Sequence, residues 1–335
     1  MPRFDDLPRI TLGHLPTPLE PAPRLTEALG GPSIWFKRDD CTGLATGGNK
    51  TRKLEYLLAE ARVRGAGTVI TFGALQSNHA RQTAAACARL GLRCELILSQ
   101  RVNYVAPEYE TGGNVLLDQL CGAHLHIVAP SEVAKTLEQV RKQLEGQGRH
   151  SYVIPAGGSN VTGALGYVRC AAEVIEQARV AGFTPAAIVH ATSSGGTQAG
   201  LIAGIARLHA DIPVIGINTY DPDHAAQHNH IRELTNATLE RLGLPHVHAA
   251  RVCIEHEYLG IDYGIPTSAM TEAVRLAATT EGVLLDPVYS GKGMAGLIGL
   301  IRAGRFKAGE QVVFVHTGGT PVLGVYRAEF PAHVG

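Results

Sequence analysis

A chain of 335 residues, 45% apolar and 18% charged, is long enough for a large core and roughly two domains, which excludes a disordered or fibrous protein. Thirty Lys plus Arg balance thirty Asp plus Glu, so no basic excess points to nucleic acid or to an anionic membrane surface. No run of about 18 apolar residues offers a membrane span, and the opening "MPRFDDLPRI" is acidic early and lacks the apolar stretch of a signal peptide.

Taken in chain order, "GLATGGNKT" leads into Lys50 and a run with helical spacing, "RKLEYLL". It is not a P-loop, because Asn49 separates the glycine from the lysine and no strand is evident before it. "TVITFGA" (68–74) is a β-branched strand, the helix-forming "QTAAACARL" follows, and "RCELILS" returns to strand. The turn "QSNHARQ" sets Gln76, Ser77, Asn78 and His79 at a strand end, where they suit either a polar helix cap or contacts to a substrate or cofactor. "SYVIPAGGSN" is a strand and a Gly-rich turn that includes Gly158, and "GALGYVRCAAEVIEQAR" is helical.

"AAIVHA" (186–191) is a strand, and "TSSGGTQAG" turns into the helix "AGLIAGIARLHA". Five small residues in a row exceed what capping needs; backbone N–H groups, the helix dipole and the hydroxyls of Ser194 and Thr197 point to a phosphate site. "PVIGINTY" is another strand. "HAAQHNH" spaces His224 and His228 at i, i+4 with His230 beside them, but no Glu follows His224, and no metal is expected. "GIDYGIP" and "DPVYSGKGMAGL" hold Tyr263 and Tyr289 in Gly-flanked loops, and "QVVFVHTGG" ends the series as strand and turn.

Strands without clean alternation, separated by helices, predict an α/β fold of two domains, each an open, mostly parallel sheet flanked by helices. Residues 51–155 are expected to form the smaller domain, and 1–50 plus 156–335 the larger one. The glycines that follow the strands place the ligand at the strands' carboxyl ends. Six scattered cysteines without a Cys-x-x-Cys suit a reducing compartment, so a cytoplasmic protein is expected.

In this order, "GGNKTRK", "QSNHARQTA", "GGTQAG", "DPVYSGK" and "HTGG" resemble the fold type II (tryptophan synthase β-like) pyridoxal-phosphate enzymes. More narrowly, the chain resembles the family of aminocyclopropane-carboxylate deaminase, D-cysteine desulfhydrase and L-cysteate sulfo-lyase. The resemblance implies pyridoxal 5'-phosphate in the cleft between the two domains, held covalently by Lys50. Lys53 becomes a phosphate contact, and Ser194, Gly195, Gly196 and Thr197 the phosphate cup. Asn78 becomes the partner of the cofactor's phenolic oxygen, and Ser77 a catalytic serine near the substrate's carboxylate and Cα. Tyr263 and Tyr289 match the active-site tyrosines. Gln76, His79 and Gly158 join Ser77, Asn78 and Tyr289 around a small amino-acid substrate. A homodimer without nucleic-acid or membrane partners is implied as well.

Two positions discriminate within this family. Deaminases carry Glu directly after the "DPVY" tyrosine, facing the pyridine nitrogen, and Leu within the last motif; here the residues are Ser290 and Thr317. A hydroxyl does not hold a proton on the ring as a carboxylate does, which leaves an electron sink suited to β-elimination rather than to ring opening. The sequence is closest in aspect to L-cysteate sulfo-lyase, with D-cysteine desulfhydrase as the alternative and the deaminase less expected. A sulfonate leaving group needs added donors, for which Thr317, Ser290, Gln76 and the hydroxyls near Thr162 are available. A non-catalytic binder of pyridoxal phosphate or another phosphate ligand is the rival from a different class, and the presence of Lys50 speaks against it.

Overall fold

A computed structural model describes residues 4–331. Its strands are β1 (Leu19–Pro21), β2 (Ser33–Lys37), β3 (Thr68–Ala74), β4 (Arg93–Ser99), β5 (His124–Val128), β6 (Ser151–Ile154), β7 (Ala187–Thr192), β8 (Val214–Asn218), β9 (Cys253–Glu255) and β10 (Gln311–Val315). The helices are α1 (Pro23–Leu29), α2 (Lys50–Val63), α3 (Asn78–Leu90), α4 (Gly113–Leu120), α5 (Val133–Gly146), α6 (Val161–Val180), α7 (Gly196–Arg207), α8 (His224–Arg241), α9 (Ser268–Glu281) and α10 (Ser290–Arg302). The strands form two sheets, one ordered β1-β2-β10-β7-β8-β9 and one ordered β5-β4-β3-β6. Every pairing is parallel except β1 with β2.

The four-stranded sheet shows why continuous apolar runs become parallel strands. On one face Ile70 and Ile97 pack against Val140 and Leu144 of α5. On the other, Val69, Leu96 and Leu98 pack with Ala84 and Cys87 of α3 and with Leu54, Leu57 and Leu58 of α2. Over β3 and β4 both faces are largely covered, so the apolar run needs no polar residue at alternate positions. Each buried Leu or Ile contributes about 1.5–3 kcal/mol against the exposed chain.

Helix α2 is buried along nearly its whole length, polar residues included. Those residues are spent on partners. Arg52 pairs with Asp39 (2.8 Å), and Glu55 accepts from the backbone N–H groups of Leu12 (2.9 Å) and Gly13 (3.2 Å). That helix fixes Lys50 and Lys53 from a rigid base rather than from a loop.

All four strands of the smaller sheet lie between residues 68 and 154, while the larger sheet takes β1 and β2 from the N-terminal region and the rest from beyond residue 186. Three short strands, β1, β2 and β9, and the edge strand β5 were not apparent from the sequence pattern; β5 reads "HLHIV" and is only half-buried. No helix among the described residues is long and apolar enough to cross a membrane.

Candidate active site

A cavity of about 390 Å³ lies between the two sheets, where the chain leaves the carboxyl ends of β3, β4, β7, β8 and β10. Ala74, Ser99, Thr192, Tyr220 and Thr317 mark those five exits on its wall.

Lys50 opens α2 and is half-buried on the cavity wall, its Nζ donating to Asn49 Oδ1 (3.0 Å). Burial pulls its ammonium down to about 8, with Arg81 adding to the effect and Asp286 opposing it. The turn before it is held in a costly conformation. Ala45 and Thr46 both have positive φ, and a Cβ on Gly47 (φ +75°) would stand 1.8 Å from the Asp40 carbonyl oxygen. Arg81, fully buried on α3, clamps this turn by donating to Ala45 O (3.1 Å), Thr46 Oγ1 (2.5 Å) and Gly47 O (3.0 Å).

Lys53, one turn on, sits behind the wall and donates to two neutral acceptors, Gly157 O (3.0 Å) and Ser159 Oγ (3.1 Å). Burial, reinforced by the charge of Lys50, holds its amine well below the ordinary lysine range. It faces the start of α7. Gly195 caps that helix with φ +79°, and a Cβ on Gly196 would stand 2.7 Å from Ser159 Oγ and 2.9 Å from Lys53 Nζ. Ser194 Oγ lies 2.7 Å from Ser159 Oγ, and Thr197 Oγ1 accepts from Asn49 Nδ2 (3.1 Å). Hydroxyls, free helix N–H groups and a lysine that lacks a counter-charge thus converge on one spot, the requirements of a phosphate dianion.

At the start of α3, Ser77 is the N-cap, its Oγ accepting from Ala80 N (3.2 Å) while the residue faces the cavity. Asn78 lines the wall with its Oδ1 accepting from Asn114 Nδ2 (2.8 Å), and His79 lines it too. His79 Nε2 is 2.8 Å from Thr71 Oγ1, Nδ1 has no protein partner, and burial beside Lys50 and Lys53 keeps the ring neutral. Gln76 is turned away: its Nε2 donates to Tyr109 O (2.6 Å) and Gly112 O (3.0 Å), and its Oε1 accepts from Asn114 N (2.8 Å).

Tyr263 and Tyr289 also line the cavity and share a hydroxyl–hydroxyl hydrogen bond, and burial raises both well above the ordinary tyrosine range. The Tyr289 loop is organised by Asp286, whose carboxylate accepts from the N–H groups of Val288 (2.9 Å), Tyr289 (2.9 Å) and Ser290 (2.7 Å). Ser290 Oγ also donates to Asp286 Oδ1 (2.6 Å), so this side chain is consumed beneath the loop. At the mouth, Arg101 reaches across from beyond β4, its Nη1 donating to Tyr220 OH (2.5 Å) and its Cζ 5.5 Å from the Tyr263 ring centre.

The structure therefore gathers Lys50, Ser77, Asn78, His79, Ser194, Gly195, Thr197, Tyr263, Tyr289 and Thr317 around one cavity, with Lys53 and Gly196 just behind its cup. Gln76, Gly158 and Ser290, expected from the sequence to contact cofactor or substrate, are not on the wall. Thr162, at the start of α6, is spent on Glu60 Oε2 (2.7 Å). Asp286, Ser159, Arg81 and Arg101 were given no role from the sequence, although Asp286 opens "DPVYSGK", Arg81 lies in "QSNHARQ" and Ser159 in "GGSN".

The residues fit pyridoxal phosphate, because a cup for a phosphate and an amine of depressed basicity open on one cavity. A family profile described as pyridoxal-phosphate dependent enzyme matches residues 10–318. D-cysteine desulfhydrases of Salmonella choleraesuis (strain SC-B67) and Salmonella typhi are each 44% identical over 321 residues, 95% of this chain and 96% of theirs. The crystal structure of an ACC deaminase homologue superposes with a TM-score of 0.87 at 36% identity, covering 98% of both chains. Escherichia coli diaminopropionate ammonia lyase shares the fold, with a TM-score of 0.65 at 17% identity over 95% of this chain and 86% of its own.

Proposed function

The chain belongs to the pyridoxal-phosphate dependent enzyme family, and from that premise we propose that it is a β-eliminating lyase whose substrate is D-cysteine. The overall change is D-cysteine plus water to pyruvate, hydrogen sulfide and ammonia. The observation that carries this reading is Lys50, an amine with a pKa near 8 that lines the same cavity as Ser77, Ser194, Gly195 and Thr197. The named D-cysteine desulfhydrase relatives support the substrate.

The cavity speaks for the same choice. L-cysteate, the leading expectation from sequence, would release sulfite and needs added donors around its sulfonate. Of the donors named from the sequence, Gln76, Ser290 and Thr162 itself are engaged elsewhere, while Thr317 reaches the wall. A departing sulfide needs fewer.

When bound, pyridoxal phosphate supplies an electron sink that makes the α-proton and then the β-substituent of an amino acid easier to lose. The chain's residues provide the rest. Lys53, Ser194, Gly195, Gly196 and Thr197 hold the phosphate. Lys50 would carry the cofactor, and its Nζ, once released from it and basic near neutral pH, would hold the proton that leaves the substrate's Cα. Ser77 and Asn78 orient the substrate carboxylate at the start of α3. Tyr263 and Tyr289 are kept protonated by burial and bonded to each other, so the one that accepts from its neighbour has its own proton free for the leaving sulfur.

The test is a side-by-side assay on purified holoenzyme with D-cysteine, L-cysteine, L-cysteate and aminocyclopropane-carboxylate. Pyruvate and sulfide should form fastest from D-cysteine, by about tenfold or more. Faster sulfite release from L-cysteate would return the sulfo-lyase reading. Turnover of the cyclopropane alone would remove both, and a yellow protein inert to all four would leave a binding protein.

A further inference from the structure

A second cluster of reactive side chains lies at the far end of the smaller sheet. Strands β4 and β5 are parallel, with Glu95 opposite His124 and Ile97 opposite His126. Because side chains alternate along a strand, His124 and His126 project to the same face, and Glu95 of the neighbouring strand projects between them. His124 Nδ1 lies 2.7 Å and His126 Nε2 2.9 Å from the same oxygen, Glu95 Oε2. The rings meet edge to face, with centres 4.6 Å apart. The other oxygen, Glu95 Oε1, accepts from Arg93 Nε (2.6 Å), which fixes the plane of the carboxylate. Glu95 is 2% exposed, whereas the His124 side chain is 61% exposed, so the carboxylate is rigid and the approach is open.

We infer that Glu95, His124 and His126 bind one divalent transition-metal cation of the zinc class. Among the described residues these are the three His, Cys, Asp or Glu side chains whose donor atoms come together, all within 4.8 Å of one another. Two imidazoles and one carboxylate are a borderline donor set that suits zinc, cobalt, nickel or copper and not magnesium or calcium. Three protein ligands leave a fourth position for water. Ligands around a tetrahedral ion with bonds of ~2.0–2.2 Å stand roughly 3.3 Å apart, so the rings withdraw by about half an ångström from their present contacts. Each imidazole would bind through one ring nitrogen and carry its proton on the other, which faces away from the ion. Arg93 then acts as the outer partner that orients the ligating carboxylate.

The ion would clip the edge strand β5 to β4. Ser99, where β4 meets the cavity, is four residues from Glu95, about 13 Å along a strand, so the reacting atoms are out of reach. The site is independent of the substrate assignment above. The His224 and His228 pair of α8 is a different matter: His224 stacks on His256 with ring centres 3.7 Å apart, and among the described residues no set of three donors comes together there.

The experiment is a calorimetric titration of zinc chloride into chelator-treated holoenzyme, for the wild type, His124→Asn/His126→Asn, Glu95→Gln and, as a control, His224→Asn/His228→Asn. The wild type and the control should bind one tight equivalent per chain, with a zinc-dependent rise in melting temperature. The double variant at 124 and 126 should lose that equivalent and that rise while keeping lyase turnover and the wild-type circular dichroism. His124 and His126 lie toward the surface, so this pair keeps the test sound even where Glu95→Gln folds poorly. Absence of micromolar zinc binding in the wild type, or equal binding in His124→Asn/His126→Asn, would overturn the inference.

Discussion

The hydroxyl of Thr71 donates to the Ile154 carbonyl (2.8 Å) and so has only a lone pair to offer His79 Nε2, 2.8 Å away. The proton between them must therefore be on Nε2, which leaves Nδ1 as a bare acceptor in a residue on the cavity wall. Thr71→Val removes the acceptor and leaves a buried N–H unpaired, a cost of about 1–3 kcal/mol. Urea unfolding should report that loss, and side-chain nitrogen shifts of His79 should show the tautomer no longer fixed. Thr71→Ser should restore both. Unchanged stability and unchanged His79 shifts in Thr71→Val would refute the assignment.

Ser77 carries two duties that substitution can separate. As N-cap of α3 its Oγ accepts from Ala80 N, and loss of such a cap costs about 0.5–2 kcal/mol. As a cavity hydroxyl it is proposed to orient substrate. Ser77→Ala should lose both stability and turnover. Ser77→Asn retains a capping oxygen, so it should recover most of the stability and little of the turnover. Full turnover in either variant would leave Ser77 with the structural duty alone.

Much of this geometry could be read from the residue order, and the physical reason differs by element. Strands β3 and β4 are buried on both faces, so Val69, Ile70, Leu96 and Ile97 give an unbroken apolar run that has no other use. Strand β5 is an edge, and its alternating histidines break the apolar run that marks the other strands. The cup was visible because five small residues between a strand and a helix are compositionally unusual. Gln76 and Ser290 looked equally suited to a ligand, yet their groups are consumed by backbone at Tyr109 and Gly112 and by the Asp286 loop. Sequence gives the inventory of polar atoms but not which are already satisfied. Asp286 and Arg81 were missed for the converse reason: each acts on a loop distant from, or turned back upon, its own position.

Beneath the cavity, Asp39 is wholly buried and accepts from Arg52 Nε (2.8 Å), Arg52 Nη2 (2.9 Å), Thr17 Oγ1 (2.8 Å) and Tyr167 OH (2.6 Å). Burial opposes ionisation, but the Arg52 guanidinium outweighs it and holds the carboxyl below the ordinary aspartate range. A folded-state value below the unfolded one gives stability that is full above the unfolded value, near 4, and lost as pH falls through the folded value. Arg52→Met strands this charge and should cost about 3–5 kcal/mol at neutral pH. The variant should also lose the acid-side fall in stability that this pair gives the wild type. Denaturant midpoints measured from about pH 7 down to about pH 3 check both; a variant within about 1 kcal/mol of the wild type would show that the network is dispensable.

The depressed basicity of Lys50 has a direct kinetic signature. With a pKa of about 8 instead of 10.5, roughly a tenth of the amines are free at pH 7, against fewer than about one in a thousand for an ordinary lysine. Only the free amine is nucleophilic, so the rate of cofactor attachment to apoenzyme should rise with pH and level off above a midpoint near 8. The measurement is borohydride trapping at timed intervals, with the mass of the Lys50 peptide as readout. Lys50→Ala should show no added mass at any pH. Asp286 opposes the depression, so Asp286→Asn should shift the midpoint lower and Arg81→Met should shift it higher, in line with the signs of their charges. A wild-type midpoint near that of free lysine would mean that burial does not tune this amine. Trapping on another lysine would move the covalent role away from Lys50.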